Sequence, residues 1–386
     1  MKKTILYLRE IGAGLDSGMT IQVLNDYGHL SHIGNEILVP VHLMDTVRQL
    51  ELKGYMEVNH FAKLTLVFLR SGIRKCRLVT LLIFYTSWLI RNSSCQCVVV
   101  LRERKYLLCA RLFRFFFGIH IVSELHEGGL PLGESKSLRL KFQRLFDKVD
   151  GVVFTNFSQV QYLRDRGYTI PKIVIVLPNG VDVQKFSCTQ PADPDSSEVI
   201  VTYAGQFTSW KNLPLLFESL RYLPPNFRLR IAGGKIKGEA SRIYIEDLKQ
   251  KFGVESRVDF LGFVHPEKII SQVLSGSSVL ALPLDGGDIA RFATSPMKLV
   301  EYMATPIPIV AVAAPSVLGL AGTDTIYLSE MNARDFADAI RKAIADKSNV
   351  KQERIARANL VAKQYDHKAR AARYDRWLSG IILNGR

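Results

Sequence analysis

The stretch VIVTYAGQFTSWKNLPLLFESLRYL, residues 199–223, opens on an apolar run, turns at a glycine and resumes with apolar residues at helical spacing. Apolar residues on both faces of a short run predict a strand covered on both sides, as in a parallel sheet. A helix is predicted from Asn212 to Leu223. Gly205 lets the backbone come close to a ligand, and a helix start just beyond it favours anions. Lys211 falls where its ammonium could neutralise a diphosphate. Taken alone, Gly205 reads equally as a tight turn and Lys211 as a solvated first-turn lysine.

The same rhythm runs outward in both directions. Downstream, FRLRIAGG (227–234), RVDFLGFV (257–264), SVLALPL (278–284) and PIVAV (308–312) read as strands. Helices are predicted at Ile243–Phe252 and Met297–Ala304, and the tail from Ala333 to Trp377 as almost wholly helical. Upstream, ILYL (5–8), EILVPV (36–41), CVVVL (97–101), IHIVSEL (119–125) and GVVFT (151–155) are strands, KIVIVLPNGVD (172–182) is a strand ending in a turn, and a helix covers Met19–Leu30. The expectation is an α/β chain of two tandem Rossmann-like, doubly wound domains with an interdomain cleft. Residues 1–187 form the first domain, 188–198 a Pro/Asp/Ser-rich linker and 199–365 the second domain. Residues 366–386 form a helix packing back on the first domain. Ligands in such sheets sit beyond the carboxyl ends of the strands.

The chain has 386 residues and a net charge of +15, which favours phosphate-bearing partners. No nucleic-acid module accompanies that charge, so nucleic acid is not expected as a partner. Cys76, Cys95, Cys97, Cys109 and Cys188 fit no zinc spacing and read as reduced thiols. MKKTILYLREIG does not read as a signal peptide, and the most apolar window, LVTLLIFYTSWLI (78–90), is too short to span a bilayer. Basic residues in the first half (among them Lys63, Arg70, Arg74, Lys75, Arg77, Arg91, Arg102, Arg104, Lys105, Arg111 and Arg114) interleave with Phe, Leu and Trp. RLFRFFFGIH (111–120) suits an anionic membrane surface, or equally a helix with an apolar core face and a solvated basic one.

Two further places carry candidate chemistry. In LPLDGGDIARFATSPMKLVEYMATPIPIVA (282–311), Ser295-Pro296 marks a helix start, and Lys298 and Glu301 share a face one turn on. A carboxylate there can accept from ribose hydroxyls and a lysine can hold phosphate oxygens. The plainer alternative is a surface ion pair. His126, in SELHEGG, follows a strand end, where sites form, although a lone histidine can also be a satisfied core residue.

With FTNFSQVQYLRDRG (154–167), VLPNGVDVQKF (176–186), YAGQFTSWKN, LRIAGG, VDFLGFV and SPMKLVEYMATPIPIVA in this order, the chain resembles family 4 of the GT-B retaining glycosyltransferases, a family that includes enzymes of bacterial surface-polysaccharide assembly. The resemblance implies transfer, with retention, from a nucleotide-diphosphate sugar to a saccharide or lipid-linked acceptor. It implies no metal cofactor and a cytoplasmic enzyme lying on the inner face of the cell membrane. Lys211 would bind the donor diphosphate, Glu301 the ribose, and His126 would face the transferred sugar. Ser17 and Gly18 would lie near the phosphates, and Gly262, Phe263 and Val264 would line the base pocket. Gly205, Gln206, Ser295, Pro296, Met297 and Lys298 complete the donor set. Two positions depart from the pattern. Ala293 stands where a paired glutamate is expected, and Gln206 stands where an arginine is usual. Asp285 or Asp288 could replace the first, and Lys298 the second. These departures raise the alternative of a sugar-binding protein without activity, and a nucleotide-sugar epimerase is a separate one. A dinucleotide dehydrogenase is disfavoured, since GAGLDSG lacks the GxGxxG spacing.

Overall fold

The apolar runs assemble into two all-parallel sheets. The computed structural model describes residues 3–8, 18–42, 46–61, 63–69, 88, 96–126, 130–132, 136–234 and 238–384. Two units divide it, Met1–Gly180 with His367–Arg386, and Val181–Asp366.

The first unit holds β1 (Lys3–Leu8), β2 (Glu36–His42), β3 (Leu64–Leu69), β4 (Gln96–Leu101), β5 (His120–Leu125), β6 (Gly151–Phe154) and β7 (Val174–Val176), in the order β3-β2-β1-β4-β5-β6-β7. Strand order therefore reverses between β1 and β4, which places a switch point beyond their carboxyl ends. Ile5, Val39, Val98, Val100, Val122 and Val153 pack into one core with the helix Gly18–His32 and the last helix, His367–Asn384. That last helix contributes Ala371, Tyr374, Leu378, Ile381 and Ile382. Asp375 near its middle accepts from buried Lys3 at 2.7 Å and from Asn35 at 2.8 Å.

The second unit repeats the plan with β8 (Val199–Gly205), β9 (Phe227–Gly233), β10 (Val258–Gly262), β11 (Val279–Leu282), β12 (Ile309–Val312) and β13 (Tyr327–Ser329), in the order β10-β9-β8-β11-β12-β13. Its switch point lies between β8 and β11. The strands are apolar on both faces because helices cover both, as at Val201, Tyr203, Ile231, Leu280 and Leu282.

The structure moves several expected boundaries. The division falls after Gly180, not at 187, because Val181 and Phe186 sink into the second core. Residues 188–198 are not a free linker. Gly276 donates to the Gln190 carbonyl (2.9 Å), Ala192 donates to the Ser277 carbonyl (3.0 Å), and Thr189 is buried, so this segment is laced to the second unit. The helix expected over Asn212–Leu223 is only Leu213–Ser219, followed by a tight turn over Leu220–Tyr222. Its entry is delayed by a turn at Ser209–Lys211 and by Asn212 in the left-handed region (φ 48°). The tail breaks into three helices, Ala333–Ala345, Ser348–Gln364 and His367–Asn384. The apolar window 78–90 lies outside the described residues apart from Trp88. Among the described residues no helix is long and apolar enough to cross a membrane.

Candidate active site

In the second unit Gly205, Gln206 and Lys211 lie at or just beyond the carboxyl end of β8, Lys298 and Glu301 on a helix bonded to that strand, and Gly262, Phe263 and Val264 at the end of β10. The chain leaves that strand at Gly205 beside Gly233 of β9. A Cβ on Gly233 would stand 1.7 Å from the Gly205 carbonyl oxygen, and its φ of 142° is itself closed to other residues. Gly233→Ala is therefore expected to cost about 3 kcal/mol or more, read as a lowered urea midpoint. A loss below about 1 kcal/mol would show that this strand end yields freely.

Beyond Gly205, exposed Gln206 accepts from the Tyr203 hydroxyl through its carbonyl (2.9 Å). Half-buried Lys211 follows, its ammonium 3.8 Å from the centre of the Trp210 ring. The Trp210 carbonyl accepts from the Asp285 amide (3.1 Å), tying this turn to the loop after β11. Asp285 Oδ1 takes the Gly287 amide (3.0 Å), so this carboxylate shapes its own loop. Ala293 is fully buried and ends a wide helical turn, Ile289–Ala293, closed by the Thr294 amide on the Ile289 carbonyl. Ser295 and Pro296 are buried, and Met297 begins the helix Met297–Met303.

That helix is pinned to β8. The Ala204 amide donates to the Tyr302 hydroxyl (2.9 Å). One residue earlier, Glu301 Oε2 accepts from Lys298 Nζ (2.6 Å) in a partly buried pair. The helical spacing thus produces the ion pair, on a helix bonded to the end of β8 and with both side chains partly buried. Gly262 closes β10 in the left-handed region (φ 67°), and Phe263 and Val264 are half-buried. Sequence reasoning missed the Phe207 ring, which packs on Tyr203, Tyr244 and Phe260 with centroids 5.9–6.5 Å apart. It thereby links the ends of β8 and β10.

In the first unit, Gly18 begins the helix after β1, while Ser17 lies outside the described residues, as does Glu127. His126 follows β5, and its Nε2 lies 2.7 Å from Oε1 of Glu124. The other Glu124 oxygen accepts from the Tyr27 hydroxyl (2.6 Å). Burial pulls the His126 imidazole down to about 4, and the charge of Arg102 adds to that. Burial opposes ionisation of Glu124, but the His126 bond and the charges of Arg102 and Arg370 outweigh it and hold the carboxylate below its usual range. At neutral pH the imidazole is therefore uncharged, donates from Nε2 to a carboxylate and keeps Nδ1 as an acceptor. Sequence reasoning gave Glu124 no defined role and missed Arg370. The partners come from strands and helices far apart in the chain, so no local signal announced them.

A stability window follows from these directions. As pH falls through 6.5, the unfolded chain takes up a proton on this histidine that the folded chain refuses until about 4. Stability should thus drop between those values, on the order of 3 kcal/mol at the limit. The lowered Glu124 acts in the same direction at still lower pH. Urea unfolding at pH 7 and pH 4.5 checks this, and His126→Asn should flatten the difference. An equal pH dependence in both proteins would contradict it.

Among the described residues no group of three or more His, Cys, Asp or Glu could hold a metal ion. Among the described residues Cys109 is a buried thiol and Cys188 an exposed one.

Two Rossmann-order parallel sheets in tandem, each with its switch point, define the GT-B fold. Residues 189–367 match the family Glycosyl transferases group 1, so the second unit carries a glycosyltransferase domain. Solved structures agree on the fold. A glycosyltransferase from Rickettsia africae ESF-5 aligns at 14% identity over 99% of both chains, with a TM-score of 0.77. Anabaena HepE in complex with UDP aligns at 16% identity over 98% of this chain and 100% of that one, with a TM-score of 0.75. The lipopolysaccharide outer core galactosyltransferase WaaB aligns at 16% identity over 100% of both chains, with a TM-score of 0.67. No curated protein matches the chain in sequence.

Proposed function

We propose that the chain transfers a sugar, with retention, from a nucleotide-diphosphate donor to a lipid-linked saccharide at an anionic membrane surface. The assignment to family 4 and to surface-polysaccharide assembly (lipopolysaccharide or capsule) belongs to the same reading. The observation that carries it is the junction at the end of β8. There the Lys211 turn is hydrogen-bonded to the loop after β11, and the Lys298–Glu301 helix is bonded through Tyr302 to the same strand. These are the residue types a sugar nucleotide requires, within a domain matching a glycosyltransferase family. The HepE structures contain UDP, UDP with glucose, and UDP-glucose, which supports a donor of this kind.

In the reaction, the bond from the anomeric carbon to the diphosphate breaks and a bond to the acceptor hydroxyl forms on the same face. The hydroxyl proton leaves with a departing phosphate oxygen. Negative charge grows on that diphosphate, and Lys211 and Lys298 stabilise it electrostatically, without a metal ion. Pairing with Lys298 orients the Glu301 carboxylate, which we assign to the ribose hydroxyls. His126, uncharged, accepts a hydrogen bond from the sugar through Nδ1.

The membrane surface is supported by the helix Leu107–Phe117. Cys109, Ala110 and Phe113 face the core, while Leu108, Leu112, Phe115 (82% exposed) and Phe116 (69% exposed) face outward beside exposed Arg111. Exposed Arg104 and Lys105 precede it. An outward apolar stripe edged with cations matches anionic lipid headgroups over acyl chains.

The test combines a thermal-shift panel of nucleotide sugars with donor hydrolysis and transfer to lipid-linked saccharides on vesicles. One donor should raise the melting temperature and be turned over. Sedimentation with anionic vesicles should be lost in Phe115→Ser/Phe116→Ser. A panel with neither shift nor turnover would remove the donor assignment, and equal binding to neutral vesicles would remove the anionic surface.

A further inference from the structure

The last helix of the chain reaches the histidine of the first unit through two buried charges. Arg370 is 2% exposed and donates from Nε to the Pro178 carbonyl (2.8 Å). Its Nη1 lies 3.3 Å from Asp26 Oδ2, and its Nη2 lies 3.8 Å from Glu124 Oε1, the oxygen that holds His126. Asp26 is clamped in turn by Gln22 (2.8 Å) and by His367 Nδ1 (3.1 Å). The packing leaves no slack. A Cβ on Gly180 would come within 2.3 Å of His367 Nδ1 and 2.8 Å of Asp26 Oδ1.

Burying a guanidinium and two carboxylates is unfavourable unless each is paired, and apolar side chains would pack such a space at less expense. The array ends on a side chain that is not fully buried: His126 retains 13% side-chain exposure at the carboxyl end of β5. With Nε2 committed to Glu124, only one tautomer fits, and Nδ1 is the nitrogen left to meet a ligand.

We propose that Arg370 and Glu124 are positioning residues for His126. The C-terminal helix fixes the charge of Glu124, and Glu124 fixes the imidazole as its Nε2–H tautomer, with Nδ1 presented to a hydroxyl of the donor sugar. The inference rests on the reading of His126 as sugar-facing. The groups that set its protonation are Glu124 on its own strand, Arg102 after β4, and Arg370 from the last helix. Behind them stand Asp26 and Tyr27 on the helix Gly18–His32, Tyr7 on β1, and His367 and Tyr374 on the last helix. The two arginines favour the neutral ring, and Glu124 pulls the other way.

The experiment is nitrogen NMR of the full chain labelled at histidine, with His126→Asn assigning the resonance, alongside transfer rates. Wild type should show one tautomer, Nε2–H, without protonation down to about pH 5. Arg370→Met should raise the protonation midpoint of His126 by about one unit, and Arg370→Lys, which keeps the charge, should move it less. Glu124→Gln, whose carboxamide can donate as well as accept, should give mixed tautomers and lower kcat by about tenfold or more. If Arg370→Met does not fold, Glu124→Gln carries the test, since the two side chains are nearly isosteric. Folded variants in which midpoint and tautomer stay at wild-type values would overturn the proposal, because a merely structural ion pair lowers stability without moving either. The reading beneath it fails separately: His126→Ala transferring at the wild-type rate, with the tautomer shifts as described, would end the sugar-facing role.

Discussion

Lys211→Ala should slow transfer by about 100- to 1,000-fold while leaving the fold intact. The size follows from where charge develops. The departing diphosphate gains negative charge as the glycosidic bond lengthens, and a fixed cation is worth most where solvent is partly excluded. Lys211 meets the condition of being fixed. It closes the turn Ser209–Lys211 ahead of Asn212, its ammonium lies against the Trp210 ring, and the Trp210 carbonyl is bonded to the loop after β11. The contact with Trp210 is worth about 0.5–1 kcal/mol, so alanine there should leave the melting temperature nearly unchanged. Lys211→Arg keeps the charge on a longer, planar group and should recover part of the rate. Initial rates with a saturating acceptor decide the matter. A Lys211→Ala enzyme within about threefold of wild type would remove Lys211 from the leaving-group site and shift that burden to Lys298.

The contrast between what the sequence showed and what it hid follows the range of the interactions. β8 was readable to the residue, because seven consecutive residues of strand character end on a glycine. Lys298 and Glu301 were readable as neighbours, because three residues is one helical turn and their contact is local. β3 and β13 were not read as strands. Both are edge strands that pair on one side only, and β13 has just three residues, too few for periodicity to register. The end of the helix after Lys211 was overestimated, since LPLLFESLRYL keeps an apolar spacing that a tight turn satisfies as well as a helix. The Asp26–Arg370–Glu124–His126 array could not be inferred at all. Its members are separated by most of the chain, and only the return of the last helix to the first sheet unites them. The candidate site was thus legible where one segment supplies it, and hidden where topology assembles it.

That return carries the largest stability prediction. A chain ending at Asp366 loses the helix His367–Asn384, and with it Tyr374, Leu378, Ile381 and Ile382 from the core of the first unit. Four such side chains contribute about 1.5–3 kcal/mol each, hence on the order of 6–12 kcal/mol. Lys3, fully buried, loses Asp375, and Glu124 and Asp26 lose the Arg370 guanidinium. Breaking one such pair typically costs about 3–5 kcal/mol. The sum exceeds the net stability of about 5–15 kcal/mol that a domain holds, so the first unit should not fold. The second unit has its own core, which draws on no residue beyond Tyr365. The truncated chain should therefore show one cooperative transition in place of two, and limited proteolysis should leave a fragment close to residues 181–366. A point variant separates packing from charge: Leu378→Ala, which removes only apolar volume, should cost about 2–5 kcal/mol and leave the first unit folded at 25 °C. Persistence of both transitions in the truncated chain would mean that the last helix lies on the first sheet without sustaining it.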